Sequence, residues 1–264
     1  KAYRDIIAEQ VEVFGKEVSI DECDKLPDTR DIPIEDPTAW LMIPDVICVF
    51  VDMKGSTQFS ASKQNKTTAK AYQLFTGTAV RLFDEFEAPY IDVRGDGVLA
   101  LFNSDQPYRA LAAAVTFRTF VCEVFESEIK KYKDPPPGAH IGIDMKTLLV
   151  RKIGLKKRNG RSDRQNEVWA GRPVNMAAKL ASRADKNELL ASDRYFAQLK
   201  SDLVLKSCGC CNGKPSDDKV DLWEEIDFSA DEVFDFAKAY RLTSVWCAVH
   251  GEEYCSQILK LDEE

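Results

Sequence analysis

The sequence predicts an α+β sandwich with helices laid over one sheet. Three observations predict it. Residues 46–51 form a continuous apolar, β-prone run of the length of a buried strand. Stretches at helical spacing alternate with shorter β-prone runs in the order strand, helix, hairpin, helix, hairpin, helix. Finally, 264 residues with 44% hydrophobic and 30% charged side chains suit a soluble domain large enough to bury a core, which excludes disorder and fibre.

The elements follow in order. Tyr3, Ile6, Ile7, Val11 and Phe14 recur at helical spacing and predict a short amphipathic helix over 3–14. Residues 15–44 are polar and carry Pro27, Pro33, Pro37 and Pro44, an extended connector. After the strand at 46–51, a helix is expected over 66–86, with Ala71, Leu74, Phe75, Val80, Leu82 and Phe83 on its apolar side. Two β-prone runs, 90–93 and 98–102, flank Arg94-Gly95-Asp96-Gly97 and predict a hairpin. A long helix over 108–131 ends at Lys133-Asp134-Pro135-Pro136-Pro137-Gly138. Residues 140–145 and 148–153 read as two strands, 156–164 as a basic, solvated loop, and 174–183 as the start of another helix. The expected division is 1–44 for helix and connector, 45–206 for the main domain, and 207–264 for a cysteine-rich extension packed on it.

Net charge is −8, from 44 acidic and 36 basic residues, which argues against nucleic acid as a partner. The longest apolar stretches are strand-sized, so no membrane span is expected. The first ten residues mix charges with apolar side chains and do not read as a signal peptide, so a cytoplasmic protein is expected. Cys23, Cys48 and Cys122 are scattered, whereas Cys208, Cys210, Cys211, Cys247 and Cys255 crowd the C-terminal region. Cys208/Cys211 and Cys247/His250 share the same spacing; with Cys255 nearby, a structural Zn²⁺ site and a set of reduced thiols both fit.

Three segments carry chemistry. In Val49-Phe50-Val51-Asp52-Met53-Lys54-Gly55-Ser56-Thr57, an acid ends a buried strand, and Gly55, Ser56 and Thr57 open a turn whose backbone N–H groups suit phosphate oxygens. Taken alone, Asp52 also fits a helix cap and Gly55 a turn residue. The hairpin tip supplies Asp96; two hard carboxylates with phosphate oxygens are what Mg²⁺ or Mn²⁺ prefers. In Gly171-Arg172-Pro173-Val174-Asn175-Met176-Ala177-Ala178-Lys179, Asn175 and Lys179 share one helix face and suit a sugar and a phosphate, or plain solvent.

The ordered motifs "FVDMKGST", "RGDGVLALF", "HIGID" and "GRPVNMAAKLASRA" resemble the class III nucleotide cyclase catalytic domain over residues 46–191. That resemblance implies a sandwich with a central, mostly antiparallel sheet and covering helices. It implies that Asp52 and Asp96, with the Met53 carbonyl, hold two divalent ions, Mn²⁺ or Mg²⁺. Asn175 matches the ribose-orienting asparagine, and Lys179 stands where the family usually has an arginine for the α-phosphate, a point charge in place of a planar fork. His140 falls where another family arginine contacts the triphosphate, and fits a satisfied sheet residue as well. Phe50, Gly55, Ser56, Thr57, Asp92 and Arg94 are the expected substrate contacts. The family implies a head-to-tail homodimer, with the metal acids from one protomer and the asparagine motif from its partner.

The same resemblance implies that Asp92 and Val168 stand at the base-reading positions, where neither suits a purine edge; Asp92 also fits a solvated strand residue, with selectivity set by pocket size. Ionised Asp92 accepts from uracil N3–H, and Val168 pairs with nothing. The chain is similar to the pyrimidine cyclases of the Pycsar antiphage defence system, in which cyclic UMP or cyclic CMP activates a separate effector. The resulting expectation is UTP as substrate, CTP second and ATP third. A catalytically silent nucleotide-binding module of the same fold, and a zinc-dependent scaffold, are the competing readings.

Overall fold

The structure, a computed structural model, describes residues 2–155, 164–210 and 219–263. Most of the predicted basic loop and Cys211 fall outside the described residues.

Helix α1 (Tyr3–Phe14) covers the predicted span, but none of its residues is buried. The expected connector holds strand β1 (Ser19–Glu22), a 3-10 turn and the first part of β2 (Ala39–Lys54). The strand reading of 46–51 was too short because Pro44 cannot donate to a ladder. A bulge between Ile43 and Val46, with Asp45 at φ +49°, absorbs it and lets β2 continue. Helices α2 (Ser56–Ser62) and α3 (Asn65–Glu85) lead to the predicted hairpin of β3 (Tyr90–Arg94) and β4 (Gly97–Phe102). Helix α4 (Pro107–Phe120) runs through a π-turn into α5 (Glu126–Lys130).

The two strands expected at 140–153 are one strand, β5 (Gly138–Gly154). Lys146-Thr147 has no turn chemistry, and β5 runs straight through it, pairing with β2 on both sides. Its hairpin partner is β6 (Gln165–Ala170), followed by α6 (Arg172–Arg183), β7 (Glu188–Ser192) and the one-turn helices α7 (Asp193–Phe196) and α8 (Asp202–Leu205). The C-terminal region adds β8 (Trp223–Asp227), β9 (Lys238–Leu242) and α9 (Gly251–Lys260).

Among the described residues the sheet runs β3-β4-β2-β5-β7-β9-β8, with β1 beside β2 and β6 beside β5. Only β1–β2 and β5–β7 pair in parallel, so the sheet is mostly antiparallel, as expected. Alternation along each strand gives two faces. On the first, Ile47, Val49, Val51 and Met53 of β2 join Val98, Ala100 and Phe102 of β4 under α3 and α4. Phe59, Phe75, Phe83, Phe117 and Phe125 are fully buried there, with Phe75 edge-on to Phe117 at 5.0 Å. The second face carries α6. No described helix is long and apolar enough to cross a membrane.

Candidate active site

The second face presents Cys48, Phe50 and Asp52 of β2, Gly97 and Leu99 of β4, and His140, Gly142 and Asp144 of β5. Helix α6 lies on it very closely. A Cβ on Gly142 would stand 1.9 Å from the Ala177 carbonyl oxygen, so only glycine lets the helix backbone settle on β5.

Asp52 ends β2 half-exposed and faces His140 across the ladder. With the carboxylate as acceptor, the His140 ring proton sits on Nε2, which donates to Asp52 Oδ2 at 3.1 Å; Nδ1 is buried without a partner among the described residues. The hairpin tip meets the other carboxylate oxygen. A Cβ on Gly97 would fall 3.1 Å from Asp52 Oδ1 and 2.8 Å from the Phe50 ring, and Asp96 is the neighbouring residue. Because Gly97 has no side chain, the Phe50 ring and Asp52 Oδ1 pack directly against the hairpin, with Asp96 in the turn just before β4. Two hard carboxylates, Asp52 and Asp96, are the donor type that Mn²⁺ or Mg²⁺ prefers. Beyond Asp52, Gly55 (φ +86°) precedes α2, and no side chain caps the N–H groups of that first turn.

Asp92 and Arg94 lie along the same face of β3, and Arg94 Nε donates to Asp92 Oδ2 at 2.5 Å. Next along, the Tyr90 ring packs 4.7 Å from Trp169, and burial pushes its phenol up to about 12. Trp169 lies near the end of β6, just before α6. Val168 is partly exposed on β6, opposite Arg151.

On α6, Asn175 is exposed, with no side-chain partner among the described residues, while Lys179 Nζ donates to the Val233 carbonyl at 3.4 Å. Lys54, two residues beyond Asp52, donates to the Ala184 carbonyl at the far end of α6 (3.0 Å). Asn175 lies nine residues before Ala184, about 13 Å along the helix axis. Asp52 and Asn175 of one chain therefore border opposite ends of α6.

A segment that the sequence reading passed over covers the outer side of α6. Phe228 stacks on Phe234 at 4.7 Å, and Phe234 and Phe236 pack on Met176 and Leu180. Arg183 pairs with Asp231 at 2.7 Å. Lys146, Arg172 and Arg194 converge on Asp235, and Arg194 also grips the fully buried Asp144 at 2.5 and 2.7 Å. Burial alone would raise the Asp235 carboxyl, but hydrogen bonds from Arg194, Arg172 and Lys146 outweigh it and hold the group well below the usual range.

The cysteines lie apart from all of this. Cys208, Cys210, Cys247 and His250 bring their ligand atoms within 4.8 Å of one another. Cys255 is outside that group, half-buried on α9.

No protein-family model matches the chain. It is 35% identical over 254 residues to a uridylate cyclase of Micromonospora echinofusca, covering 94% of this chain and 80% of that protein. It is 35% identical over 248 residues to a uridylate cyclase of Propioniciclava tarda, covering 92% of this chain and 77% of the relative. In fold it resembles the adenylyl cyclase CyaB of P. aeruginosa, with a TM-score of 0.57 and 15% identity, over 78% of this chain and 96% of that one.

Proposed function

The chain belongs to the uridylate cyclase family, and from that premise we propose that it converts UTP to cyclic UMP and pyrophosphate in a site shared between two head-to-tail copies. The reaction is an in-line displacement. The ribose 3′-oxygen forms a bond to the α-phosphorus, the bond to the bridging oxygen of the β-phosphate breaks, and the 3′-hydroxyl proton passes to solvent. Asp52, Asp96 and the Met53 carbonyl would hold the divalent cations, which when bound supply positive charge to the triphosphate and lower the pKa of the 3′-hydroxyl.

The protein's own groups then bind and orient. The N–H groups of Gly55, Ser56 and Thr57 face the phosphates, and Phe50 packs beside Asp52 against the hairpin. Asp92 accepts from uracil N3–H, held in place by Arg94. From the partner copy, Asn175 orients the ribose and Lys179 neutralises the α-phosphate. Positioning and charge neutralisation carry the rate, since no covalent intermediate is needed. Separation of Asp52 and Asn175 along α6 supports the shared site, and the free Asn175 amide leaves a donor for a ligand held by another copy. Cyclic UMP would then activate a separate effector in antiviral defence, as the similarity to Pycsar cyclases implies.

The observation that carries this reading is the close packing of Asp52 and Phe50 against Gly97, which brings the turn holding Asp96 beside Asp52 in a chain whose 35%-identical relatives are uridylate cyclases. Product identification with each of the four NTPs and Mn²⁺ tests it, with cyclic UMP formed fastest. Faster turnover of ATP or GTP overturns the pyrimidine substrate; preference for CTP overturns UTP and the role of Asp92 while leaving a pyrimidine cyclase. Asp52→Ala mixed with Asn175→Ala should regain activity that neither has by itself, and an inactive mixture overturns the shared site.

A further inference from the structure

We propose that Cys208, Cys210, Cys247 and His250 form a structural zinc site on the opposite side of the molecule from the nucleotide face. Their four ligand atoms, three sulfurs and one imidazole nitrogen, lie within 4.8 Å of one another, with Cys247 Sγ 4.0 Å from His250 Nδ1. Bond lengths of ~2.3 Å to sulfur and ~2.0 Å to nitrogen put the edges of a tetrahedral site at about 3.6–3.8 Å. Each pair therefore has to close by no more than about an ångström, which a side-chain rotation supplies.

The backbone is already arranged for it. Gly209 takes φ +72° between Cys208 and Cys210, a left-handed turn that aims two nearby sulfurs the same way. Ser207 fixes the base of that turn: its N–H donates to the Val220 carbonyl at 2.8 Å, and its hydroxyl accepts from Val220 at 3.0 Å and Gly209 at 3.3 Å. On the other arm, the Val249 N–H donates to Cys247 Sγ at 3.4 Å, stabilising a thiolate there. Trp246, beside Cys247, is anchored to α4 through Thr119 and Thr116 at 3.0 and 2.7 Å. Both arms are thus held before any metal arrives.

Four protein ligands fill a tetrahedral shell and leave no position for substrate, so the site is structural. It lies at the rim of a cavity of about 300 Å³ lined by Leu111, Val115, Trp246, Tyr254 and Ile258, where α9 packs on α4. The metal would staple the segment after α8 to the turn before α9. Among the described residues the proposed set takes Cys210 and leaves out Cys255; Cys211 lies outside the described residues.

The full chain, expressed in zinc-containing medium and purified without chelator, should hold one zinc per chain by elemental analysis. Replacement by Co²⁺ should give the visible bands of a tetrahedral ion and near-ultraviolet thiolate charge transfer. Cys210→Ser should lose the zinc and melt at lower temperature, whereas Cys211→Ser should keep both. Zinc well below one per chain in the unsubstituted protein overturns the proposal whether or not the variants fold. Loss of zinc in Cys211→Ser with retention in Cys210→Ser, or a disulfide among these cysteines in metal-free protein, overturns it too. None of these readings depends on cyclase activity.

Discussion

On the face that carries α3 and α4, the strands meet a wall of phenylalanines, and the buried Arg118 of α4 is satisfied by the Asn187, Thr243 and Ser244 carbonyls; on the face that carries α6, the same strands present Asp52, His140 and the buried Asp144. The first face is finished within one chain. The second keeps a half-exposed Asp52 and an exposed Asn175 that has no side-chain partner among the described residues. A single period-2 alternation lets one set of strands make both, because every substitution of odd for even moves a side chain from core to site. Mutations on the two faces should therefore separate stability from turnover.

The largest effects come from the extremes. Phe117→Ala empties a fully buried site between Phe75, Phe83 and Phe120 and should cost about 3–5 kcal/mol of unfolding free energy, read by denaturant titration. Turnover per folded molecule should be unchanged. Asp52→Asn should do the reverse: turnover falls about 10²–10³-fold, roughly 3–4 kcal/mol in the barrier, while stability moves by less than about 1 kcal/mol. A stable Phe117→Ala or an unfolded Asp52→Asn breaks the division of labour.

Gly142→Ala should sharpen it, because this second-face position carries both the packing of α6 and the placement of its side chains. The added Cβ would stand 1.9 Å from Ala177 O and 2.6 Å from the Ala181 amide, so α6 must lift. About 1–3 kcal/mol of stability is expected to go. Turnover should fall by up to about 10²-fold, since Asn175 and Lys179 ride on the displaced helix. Unchanged kinetics in the folded variant would show that α6 does not set the site. A smaller effect is expected at His140, which touches Asp52 and positions it. His140→Ala should weaken Mn²⁺ dependence about 10–100-fold, with His140→Gln restoring part of it through its side-chain N–H. If both variants keep the parent's Mn²⁺ requirement, His140 is only a packed sheet residue.

The sequence carried the motif-bearing half of this comparison well. Asp52, Gly97 and α6 were legible because strand alternation, a Gly-Asp-Gly tip and a helical repeat are local patterns. His140 was visible as a residue but not as the partner of Asp52, since that pairing depends on the register of β2 against β5. The division of 138–154 into two strands failed for a related reason: one long strand with polar residues midway resembles a hairpin until its partner is known. The cover of α6 by Phe228, Phe234 and Phe236 was missed altogether, because it forms only through contacts distant in sequence. The cysteine spacing pointed to two segments of the tail, 208–211 and 247–250, and among the described residues Cys208, Cys210, Cys247 and His250 come together there.

The smallest expected effect is electrostatic and confined to the second face. Asp235 receives Lys146 from β5, Arg172 from α6 and Arg194 from α7, the last shared with Asp144, and so ties the aromatic cover to the sheet. Burial would raise its pKa, but those hydrogen bonds depress it well below the ordinary carboxylate value of about 3.9. A depressed folded-state pKa means that the unfolded chain takes up the proton first as pH falls. The contribution of Asp235 is therefore full above about pH 4 and is lost as pH drops through the depressed value. Part of it is screened, since Arg172 is largely exposed. Asp235→Asn should accordingly melt below the parent at pH 7, with the gap narrowing toward pH 3. The deficit of Phe117→Ala, which involves no titrating group, should stay constant over the same range. A gap between Asp235→Asn and the parent that holds steady from pH 7 to pH 3 would mean that packing of Phe234 and Phe236, and not the charge of Asp235, keeps the cover on α6.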